Sequence, residues 1–301
     1  MDHPQLNSLR CGIDLGGTKI ECLVLDGDRE LVRERIPTEA DQGYEHILSQ
    51  IHALLSHAED LVGARCEQVG IGTPGTRDPE TGLMRGCNTV CLNEKPLLAD
   101  LTVLLSRPVA IANDANCFAL AEALLGAGKG YDVVFGVIMG TGVGGGIVVK
   151  GQLLEGAQGI AGEWGHNELT RDGQPCYCGR KGCVETYLSG PGVERIYSEQ
   201  AGVKRRLPEI VESYREGRDE SARHALEFLM MMFGRAIAQV VNILDPDAII
   251  LGGGVGKITE LQTLGAEAAK RHIFNPEAKI RLLAPKLGDS AGVYGAALLH
   301  G

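Results

Sequence analysis

The sequence has few aromatic residues and no long uninterrupted apolar run. Aromatic residues make up 4% of its 301 residues, and there is one Trp. The most apolar window, residues 133–149, contains several glycines and is too short to span a bilayer. The first ten residues, MDHPQLNSLR, lack the basic start and apolar stretch of a secretory signal. We therefore expect a soluble, cytoplasmic protein.

The chain also lacks an excess of positive charge. It has 29 Lys and Arg against 39 Asp and Glu, for a formal net charge of −10. This balance disfavours nucleic acid or an anionic membrane as a general partner, because both are bound through clustered cations. It does not exclude an anionic nucleotide, which backbone amides can bind locally.

The nine cysteines form neither an even set nor a C-x-x-C pair. An odd number without a secretory signal argues against a disulfide framework, and the missing C-x-x-C spacing argues against a redox pair. Six cysteines are scattered, and we expect them to be small apolar residues of a reduced interior. These six are Cys11, Cys22, Cys66, Cys87, Cys91 and Cys117.

The other three cysteines lie on one glycine-rich stretch, with the spacing C-x-C-x₄-C. Cys176, Cys178 and Cys183 follow His166 by at most 17 residues, and acidic residues stand outside both ends. Three thiolates and one imidazole make up a tetrahedral zinc set. Spacing alone leaves the fourth ligand open, because the chain has seven other histidines.

Two segments of similar shape suggest an internal duplication. Residues 12–27, GIDLGGTKIECLVLDG, and residues 136–151, GVIMGTGVGGGIVVKG, both read as strand, glycine turn, strand. Helical spacing of apolar residues follows each one. The pattern predicts an α/β protein with two βββαβα lobes that face each other across a cleft. We assign residues 1–115 with 286–301 to one lobe and residues 116–285 to the other.

The glycine turns have the composition of phosphate-binding loops. Glycine lets the backbone approach a phosphate closely, and the exposed N–H groups and a Thr hydroxyl can bind its oxygens. A strand follows DLGGTK, so neither the Rossmann nor the P-loop pattern fits. Three glycine turns on a duplicated fold indicate bound ATP, with Asp14 placed to hold a hydrated Mg²⁺. The residues assigned to the nucleotide are Gly12, Ile13, Asp14, Leu15, Gly16, Gly17, Thr18, Lys19, Gly140, Thr141, Gly142, Val143, Gly144, Gly253 and Gly254.

One carboxylate lies where phosphoryl transfer needs a base. In AIANDANCFALAEA the predicted strand ends at Asn113 and a helix begins near Asp114. The Asp114 side chain is either the N-cap of this helix or a general base at the end of a strand. The residues alone leave both interpretations open.

The motifs DLGGTK, GTGVGGG, NDAN, GEWGH and CYCGRKGCVE together resemble those of the ROK family of sugar kinases and sugar-responsive repressors. The resemblance extends over nearly the whole chain, from about residue 11. It implies the duplicated RNase H-like fold of actin-like ATPases and hexokinases. It also implies that Asp114 is the catalytic base, that the protein uses ATP, and that it forms a homodimer.

The resemblance assigns the remaining site residues. It implies a structural zinc bound by His166, Cys176, Cys178 and Cys183. The second ring nitrogen of His166 would then be left to contact a sugar hydroxyl. The residues it places on the sugar are Asn88, Asn113, Asp114, Glu163, His166 and Glu185.

The identity of the sugar is less specific in these motifs. The NTxxLN pattern within residues 86–97 is similar to that of bacterial fructokinases of the family, so fructose is the first expectation, with fructose 6-phosphate as the product. NDANCFALAEA is equally similar to N-acetylglucosamine kinases, and N-acetylmannosamine kinase and glucokinase are further alternatives. A sugar-responsive regulator would need a helix-turn-helix domain, for which about ten N-terminal residues are too few.

Overall fold

Two five-stranded sheets organise the chain, and the computed structural model describes residues 9–275 and 277–300 of it. The first sheet has the order β3-β2-β1-β4-β7 and the second the order β10-β9-β8-β11-β12. A two-stranded ribbon, β5-β6, is separate. The strands are β1 Leu9–Leu15, β2 Lys19–Asp26, β3 Arg29–Pro37, β4 Val69–Thr73, β5 Thr76–Arg77, β6 Met84–Arg85, β7 Val109–Asn113, β8 Val133–Met139, β9 Val143–Val149, β10 Gln152–Leu153, β11 Ala248–Gly252 and β12 Leu282–Leu283.

Ten α-helices accompany these strands in the described part of the chain. They are α1 Tyr44–Val62, α2 Leu97–Leu105, α3 Asp114–Leu124, α4 Glu185–Leu188, α5 Gly190–Ala201, α6 Leu207–Glu216, α7 Glu220–Leu244, α8 Gly253–Gly256, α9 Leu264–Lys270 and α10 Ala291–Ala297. The predicted amphipathic helix after the third strand is confirmed as α1, whose buried face repeats every three or four residues.

The two sheets repeat one topology, which confirms the predicted duplication and fold class. In each sheet an antiparallel strand pair comes first (β1–β2 and β8–β9), and further strands join parallel to its first member. The shared arrangement is that of RNase H-like folds. The first two of the three glycine segments each join the antiparallel pair of their own sheet, and the third follows β11 and forms α8.

The chain divides into two compact units. Unit 1 comprises residues 1–126, 151–161 and 287–301, and unit 2 comprises residues 127–150 and 162–286. Residues 116–126 and 151–161 therefore group with the N-terminal part, whereas the sequence prediction placed them in the second lobe. Where the functional domain boundary lies remains a prediction.

Glycines on two strands of unit 1 let a helix pack directly on its sheet. A Cβ at Gly12 of β1 would overlap the backbone of Val293, and one at Gly70 of β4 would overlap that of Ala296. Both partners belong to α10, which contacts β1, β2 and β4. This close packing fixes β1, and therefore Asp14 at its end, against the C-terminal helix.

The longest helix of unit 2 is largely a core element. By length and composition α7 could cross a membrane, and 56% of its most apolar 18-residue window is buried inside the protein. Leu226, Leu229, Phe233 and Ile237 have no exposed surface and belong to the core cluster of unit 2. A helix buried in this way is typical of the interior of a globular unit.

Two regions contain elements that the sequence patterns did not predict. Residues 76–85 contain the ribbon β5–β6. Residues 190–216 had no assignment, and they form α5 and α6. The signals were local: Ser189 accepts a hydrogen bond from Gly192 N at the start of α5, and Pro residues stand in the first turns of both helices.

Candidate active site and metal centre

The first glycine turn is held in place by Thr38. Gly16 N donates to Lys19 O at 3.0 Å, which closes the turn between β1 and β2. Thr38 has no exposed surface; its hydroxyl donates to Gly16 O at 2.7 Å and its N–H to Thr18 O at 3.0 Å. Gly17 and Thr18 are exposed at the tip. The turn therefore presents its backbone to solvent in a fixed conformation, as a phosphate-binding loop requires.

Asp14 stands at the end of β1, next to glycines of two neighbouring elements. A Cβ at Gly72 of β4 would lie 3.5 Å from its Oδ1, and one at Gly292 of α10 would lie 3.1 Å from its Oδ2. Burial, the charge of Asp114 and then that of Glu21 raise the pKa of Asp14 to about 6. Two aspartates therefore repel each other at the carboxyl ends of β1 and β7, an arrangement that a divalent cation relieves.

Asn113, and not Asp114, is the N-cap of α3. Its Oδ1 accepts a hydrogen bond from Asn116 N at 2.7 Å. Asp114 is the first helical residue, and its Oδ1 accepts from the N–H of Ala115 at 2.8 Å. The competing interpretation of Asp114 as the helix cap is therefore wrong, because its neighbour has that role.

The Asp114 carboxyl is accessible to solvent yet surrounded mostly by protein. Its residue is exposed, whereas desolvation by the surrounding chain raises its pKa despite the hydrogen bonds of Ala115 N and its own N–H. A reachable carboxylate with a raised pKa has the properties of a general base.

Asp14→Asn is expected to stabilise the protein at neutral pH. The pKa of Asp14 is about 6 in the folded protein and about 4 in the unfolded chain. Its contribution to the free energy of unfolding is therefore fully present below pH 4 and is lost as the pH rises through about 6. A two-unit shift corresponds to up to about 3 kcal/mol. Urea unfolding of both proteins without Mg²⁺ should therefore show a stability difference that grows between pH 4 and pH 7. A constant difference would contradict this, and the exposed Asp41→Asn is the control.

Asn88 lies on a loop that Asn93 organises. The Asn93 side chain accepts from Cys87 N and donates to Cys87 O, each at 2.9 Å. Asn88 is exposed, and Thr89 next to it is buried, with its Oγ1 3.5 Å from a Cβ built on Gly17. The structure therefore brings the Asn88 loop against the first glycine turn within unit 1.

In unit 2 the second glycine turn and the third glycine run are neighbours. Strand β11 runs parallel to β8, with Gly252 beside Ile138. Gly253 has a φ of +78°, and a Cβ there would overlap the backbone of Met139. The turn after Met139 is closed by Gly140 N, which donates to Gly142 O at 2.9 Å. The second glycine turn and the third glycine run therefore lie side by side in unit 2.

The GEWGH segment packs on the strand that follows this turn. Trp164 is 4% exposed, its Nε1 donates to Gly144 O at 3.4 Å, and its ring contacts Phe135 edge to face. A Cβ at Gly165 would overlap Val143 O, and one at Gly162 would overlap Gly145 O. Glycines and one buried indole thus fix the backbone from which Glu163 and His166 extend.

Glu185 contacts the second glycine turn directly. Its Oε2 accepts from Val143 N at 2.9 Å and lies 2.7 Å from a Cβ built on Gly142. Glu185 begins α4, two residues after the last cysteine of the cluster. The sequence placed this residue only on the sugar. The structure adds a contact with the turn assigned to phosphate.

The predicted zinc ligands converge. One donor atom from each of His166, Cys176, Cys178 and Cys183 lies within 4.8 Å of the others. The Cys178 and Cys183 sulfurs are 3.6 Å apart, and Cys176 Sγ is 3.6 Å from His166 Nδ1. Tetrahedral bonds of about 2.3 Å to sulfur imply separations of roughly 3.7 Å, so the set fits zinc. A zinc bound by all four donors would have no open coordination position, which is typical of a structural site.

The loop geometry explains how the ligands meet. Cys176 N donates to Arg180 O and Gly179 N to Cys176 O, which forms a tight turn with Gly179 at a φ of +87°. Desolvation alone would raise the pKa of Cys178, but hydrogen bonds from the backbone and side chain of Arg180 lower it to about 6. One ligand is therefore readily available as the thiolate that a metal requires.

The second nitrogen of His166 has a partner that the sequence did not predict. His166 Nε2 lies 3.0 Å from the Tyr177 hydroxyl, and the two rings meet edge to face at 5.2 Å. Tyr177 is 80% exposed. Reduced hydration and the charges of Glu185, Cys176 and Glu163 raise the pKa of Tyr177 to about 12. Nε2 of His166, which we expected to be left for a sugar hydroxyl, is thus hydrogen-bonded within the protein.

The sequence analysis also did not predict a buried carboxylate beside the first glycine turn. Glu21 lies opposite Asp14 in the β1–β2 register and is 1% exposed. Its oxygens accept from Arg35 at 2.6 Å and from Ser290 at 3.1 Å, and Lys19 Nζ is 4.0 Å away. In the sequence Glu21 is one polar position of an alternating strand, a pattern that predicts solvent exposure.

Proteins of known structure and function share this architecture. N-acetyl-D-glucosamine kinase of Citrobacter koseri is 38% identical over 301 aligned residues, which cover 96% of this chain and 98% of that protein. ROK hexokinase from Thermus thermophilus is 34% identical with a TM-score of 0.88, covering 97% of each chain. A ROK family glucokinase from Streptomyces griseus, solved in complex with glucose and AMPPNP, is 32% identical with a TM-score of 0.77; the match covers 96% of this chain and 98% of that chain. The ROK family model itself matches residues 10–301. With its motifs, duplicated topology and near-complete coverage, the chain belongs to the ROK family.

Proposed function

We propose that this sugar kinase transfers the γ-phosphoryl group of ATP to a hydroxyl of N-acetyl-D-glucosamine. The observation that carries the choice of sugar is the 38% identity to the N-acetyl-D-glucosamine kinase of Citrobacter koseri, along nearly the full length of both proteins. The preference for fructose expected from residues 86–97 gains no support from these relatives. N-acetylglucosamine, our alternative substrate, therefore replaces fructose as the first expectation.

Asp114 is the proposed base. Its carboxylate accepts the proton of the sugar hydroxyl as that oxygen bonds to the γ-phosphorus, while the bond to the β–γ bridging oxygen breaks and ADP leaves. The raised pKa of Asp114 supports this role, because a stronger base shares the proton better in the transition state. Asn113, whose side chain caps the same helix, holds Asp114 at the end of β7.

The glycine turns are the proposed phosphate sites. Gly16, Gly17 and Thr18 form the rigid tip in unit 1, and Gly140, Thr141 and Gly142 form the tip in unit 2. Gly253 and Gly254 are proposed to lie near the adenosine. Mg²⁺, when bound, neutralises phosphate charge, and Asp14 would hold it through coordinated water.

The remaining residues are proposed to bind the sugar. Asn88 on its exposed loop and Glu163 beside buried Trp164 offer hydrogen-bonding groups, and Glu185 adds a second carboxylate. Carboxylates accept strongly from neutral hydroxyls because the hydrogen bond is charge-assisted. Zinc at His166 and the three cysteines would fix the loop that joins these carboxylates, without taking part in the chemistry.

A substrate panel tests the proposal. ADP release with Mg·ATP is measured against N-acetylglucosamine, N-acetylmannosamine, glucose, mannose and fructose. We expect kcat/KM for N-acetylglucosamine to exceed that for glucose by at least about tenfold, because a site that pairs with an amide loses those partners with glucose.

The other outcomes are equally informative. A lead for glucose or fructose would overturn the choice of sugar and leave a hexose kinase. Sugar binding without ADP release from any of the five would favour the sugar-responsive regulator. We also propose that the protein is a homodimer. The molar mass measured by light scattering should then be twice the chain mass of 32.0 kDa.

A further inference from the structure

Thr89 carries a buried hydroxyl that no residue in the described part of the chain hydrogen-bonds. The residue is 4% exposed, and its Oγ1 is shielded from solvent. Buried polar side-chain atoms nearly always have a partner, because an unsatisfied one gives up its hydrogen bonds to water without replacement. The hydroxyl of Thr89 therefore has an unused hydrogen bond that a ligand can take.

The usual local role of a threonine at this position is not taken. Thr89 precedes the 3₁₀ turn Val90–Leu92, where a Thr side chain ordinarily accepts from a backbone N–H of the first turn. Its side chain makes no such bond, although its carbonyl oxygen accepts from Leu92 N at 3.0 Å. The hydroxyl is therefore directed away from the helical turn that Thr89 begins.

The hydroxyl lies against the first glycine turn. A Cβ built on Gly17 would lie 3.5 Å from Thr89 Oγ1, and no other atom of the described chain beyond the neighbours of Gly17 comes within 4 Å of that position. A Cα–H group is at best a weak hydrogen-bonding partner, so contact with Gly17 does not satisfy the hydroxyl. Gly17 itself is exposed at the tip of the turn proposed to bind phosphate.

An anion is the ligand that suits this place. The turn presents the backbone of Gly17 and Thr18, and the side chain of Lys19 next to them is 42% exposed. Backbone N–H groups, a cation and a hydroxyl donor together suit a phosphate. Of the phosphates of ATP, the γ-phosphoryl group is the one that must meet the sugar, and Thr89 directly follows Asn88, which we assign to the sugar.

We propose that Thr89 is a phosphate-binding residue: when ATP occupies the first glycine turn, its hydroxyl leaves the contact with Gly17 and donates to an oxygen of the γ-phosphoryl group. A change of the Thr89 rotamer is enough to redirect the hydroxyl. This inference deepens the proposed function. It rests on the kinase activity and on ATP, but not on which sugar is phosphorylated.

Thr89→Val is the test, because it replaces the hydroxyl by a methyl group of similar size. The free protein loses no hydrogen bond in this variant, so we expect its urea midpoint to rise. The Kd of a non-hydrolysable ATP analogue with Mg²⁺, measured by calorimetry, should rise at least about tenfold, the effect of one hydrogen bond to a charged group. The Kd of ADP, and that of the sugar without nucleotide, should not change, because neither ligand has a γ-phosphoryl group.

Two further variants separate the hydroxyl from the fold. Thr89→Ser keeps the hydroxyl and should bind the ATP analogue as the wild type does. Thr102→Val on α2 is the matched control, because the exposed Thr102 hydroxyl donates to Leu98 O at 2.7 Å within its own helix. It should leave the Kd of the ATP analogue unchanged.

Three results would overturn the proposal. A lower urea midpoint of Thr89→Val would mean that the hydroxyl has a partner in the free protein. An unchanged Kd for the ATP analogue would mean that Thr89 does not bind the nucleotide. An equal rise in the Kd of ADP, or a rise for the sugar alone, would place the hydroxyl on another group. Failure of the wild type itself to bind the ATP analogue would overturn the proposed function as well, and it is seen without any variant.

Discussion

Asp114→Asn is expected to lower kcat by about 10²- to 10⁴-fold, the usual cost of removing a general base. Asparagine fits the same space and keeps the oxygen that accepts from Ala115 N, so α3 should begin at the same residue. The amide cannot accept the proton of the sugar hydroxyl. Nucleotide affinity and zinc content should therefore stay close to those of the wild type, while turnover is lost.

The pH dependence of kcat gives a second test of Asp114. Because desolvation raises the pKa of Asp114, the wild-type rate should fall on the acid side at a pH above the ordinary carboxyl value. The residual kcat of Asp114→Asn should not show this decrease at acid pH. Asp60→Asn on the exposed face of α1 controls for loss of one negative charge. A kcat within tenfold of the wild type would remove Asp114 as the base.

Cys178→Ser is expected to abolish stoichiometric zinc binding. Serine is a poor zinc ligand, and three remaining donors leave the set incomplete. A structural zinc contributes on the order of 10 kcal/mol of apparent binding free energy in small domains. The core cluster of unit 2 includes Leu169 and Val184 but no residue between them, so much of that free energy should order residues 170–183.

The variant should therefore fold but lose order in this loop. Limited proteolysis should cut first at Arg171, Arg180 or Lys181, and sugar affinity should fall with Glu163 and Glu185 no longer fixed. Added Zn²⁺ should restore none of this in the variant, whereas it should restore chelator-treated wild type. Cys91→Ser, a half-buried thiol of unit 1, is the control. Full zinc content in Cys178→Ser would show that the ligand set is wrong.

The elements that the sequence predicted well depend on neighbours along the chain. The glycine turn of DLGGTK and the start of α3 are set by short-range backbone preferences. The convergence of the predicted zinc ligands is also largely local, since the three cysteines lie within eight residues on one loop. The duplication was readable because two copies of strand, glycine turn and strand recur with the same spacing.

Local sequence patterns could not predict the contacts between segments that are far apart in the chain. Gly12 and Gly70 look like ordinary strand glycines, and their purpose appears only with α10, more than 200 residues away. Glu21 reads as an exposed strand residue, and Arg35 and Ser290 make its burial possible. The preference for fructose, which came from a short loop pattern, gained no support from the relatives, because such a pattern does not specify which sugar the assembled residues recognise.

The sequence by itself therefore determined the family, the duplicated fold, the positions of two glycine turns and the cluster of one histidine and three cysteines that could bind a metal. Only the tertiary structure decided which atoms these groups meet: Asn113 as the cap that releases Asp114, Glu185 on Val143 N, and Tyr177 on His166 Nε2. The physical reason is that backbone turns follow local dihedral preferences, whereas a side chain's partner depends on packing between residues far apart in the chain.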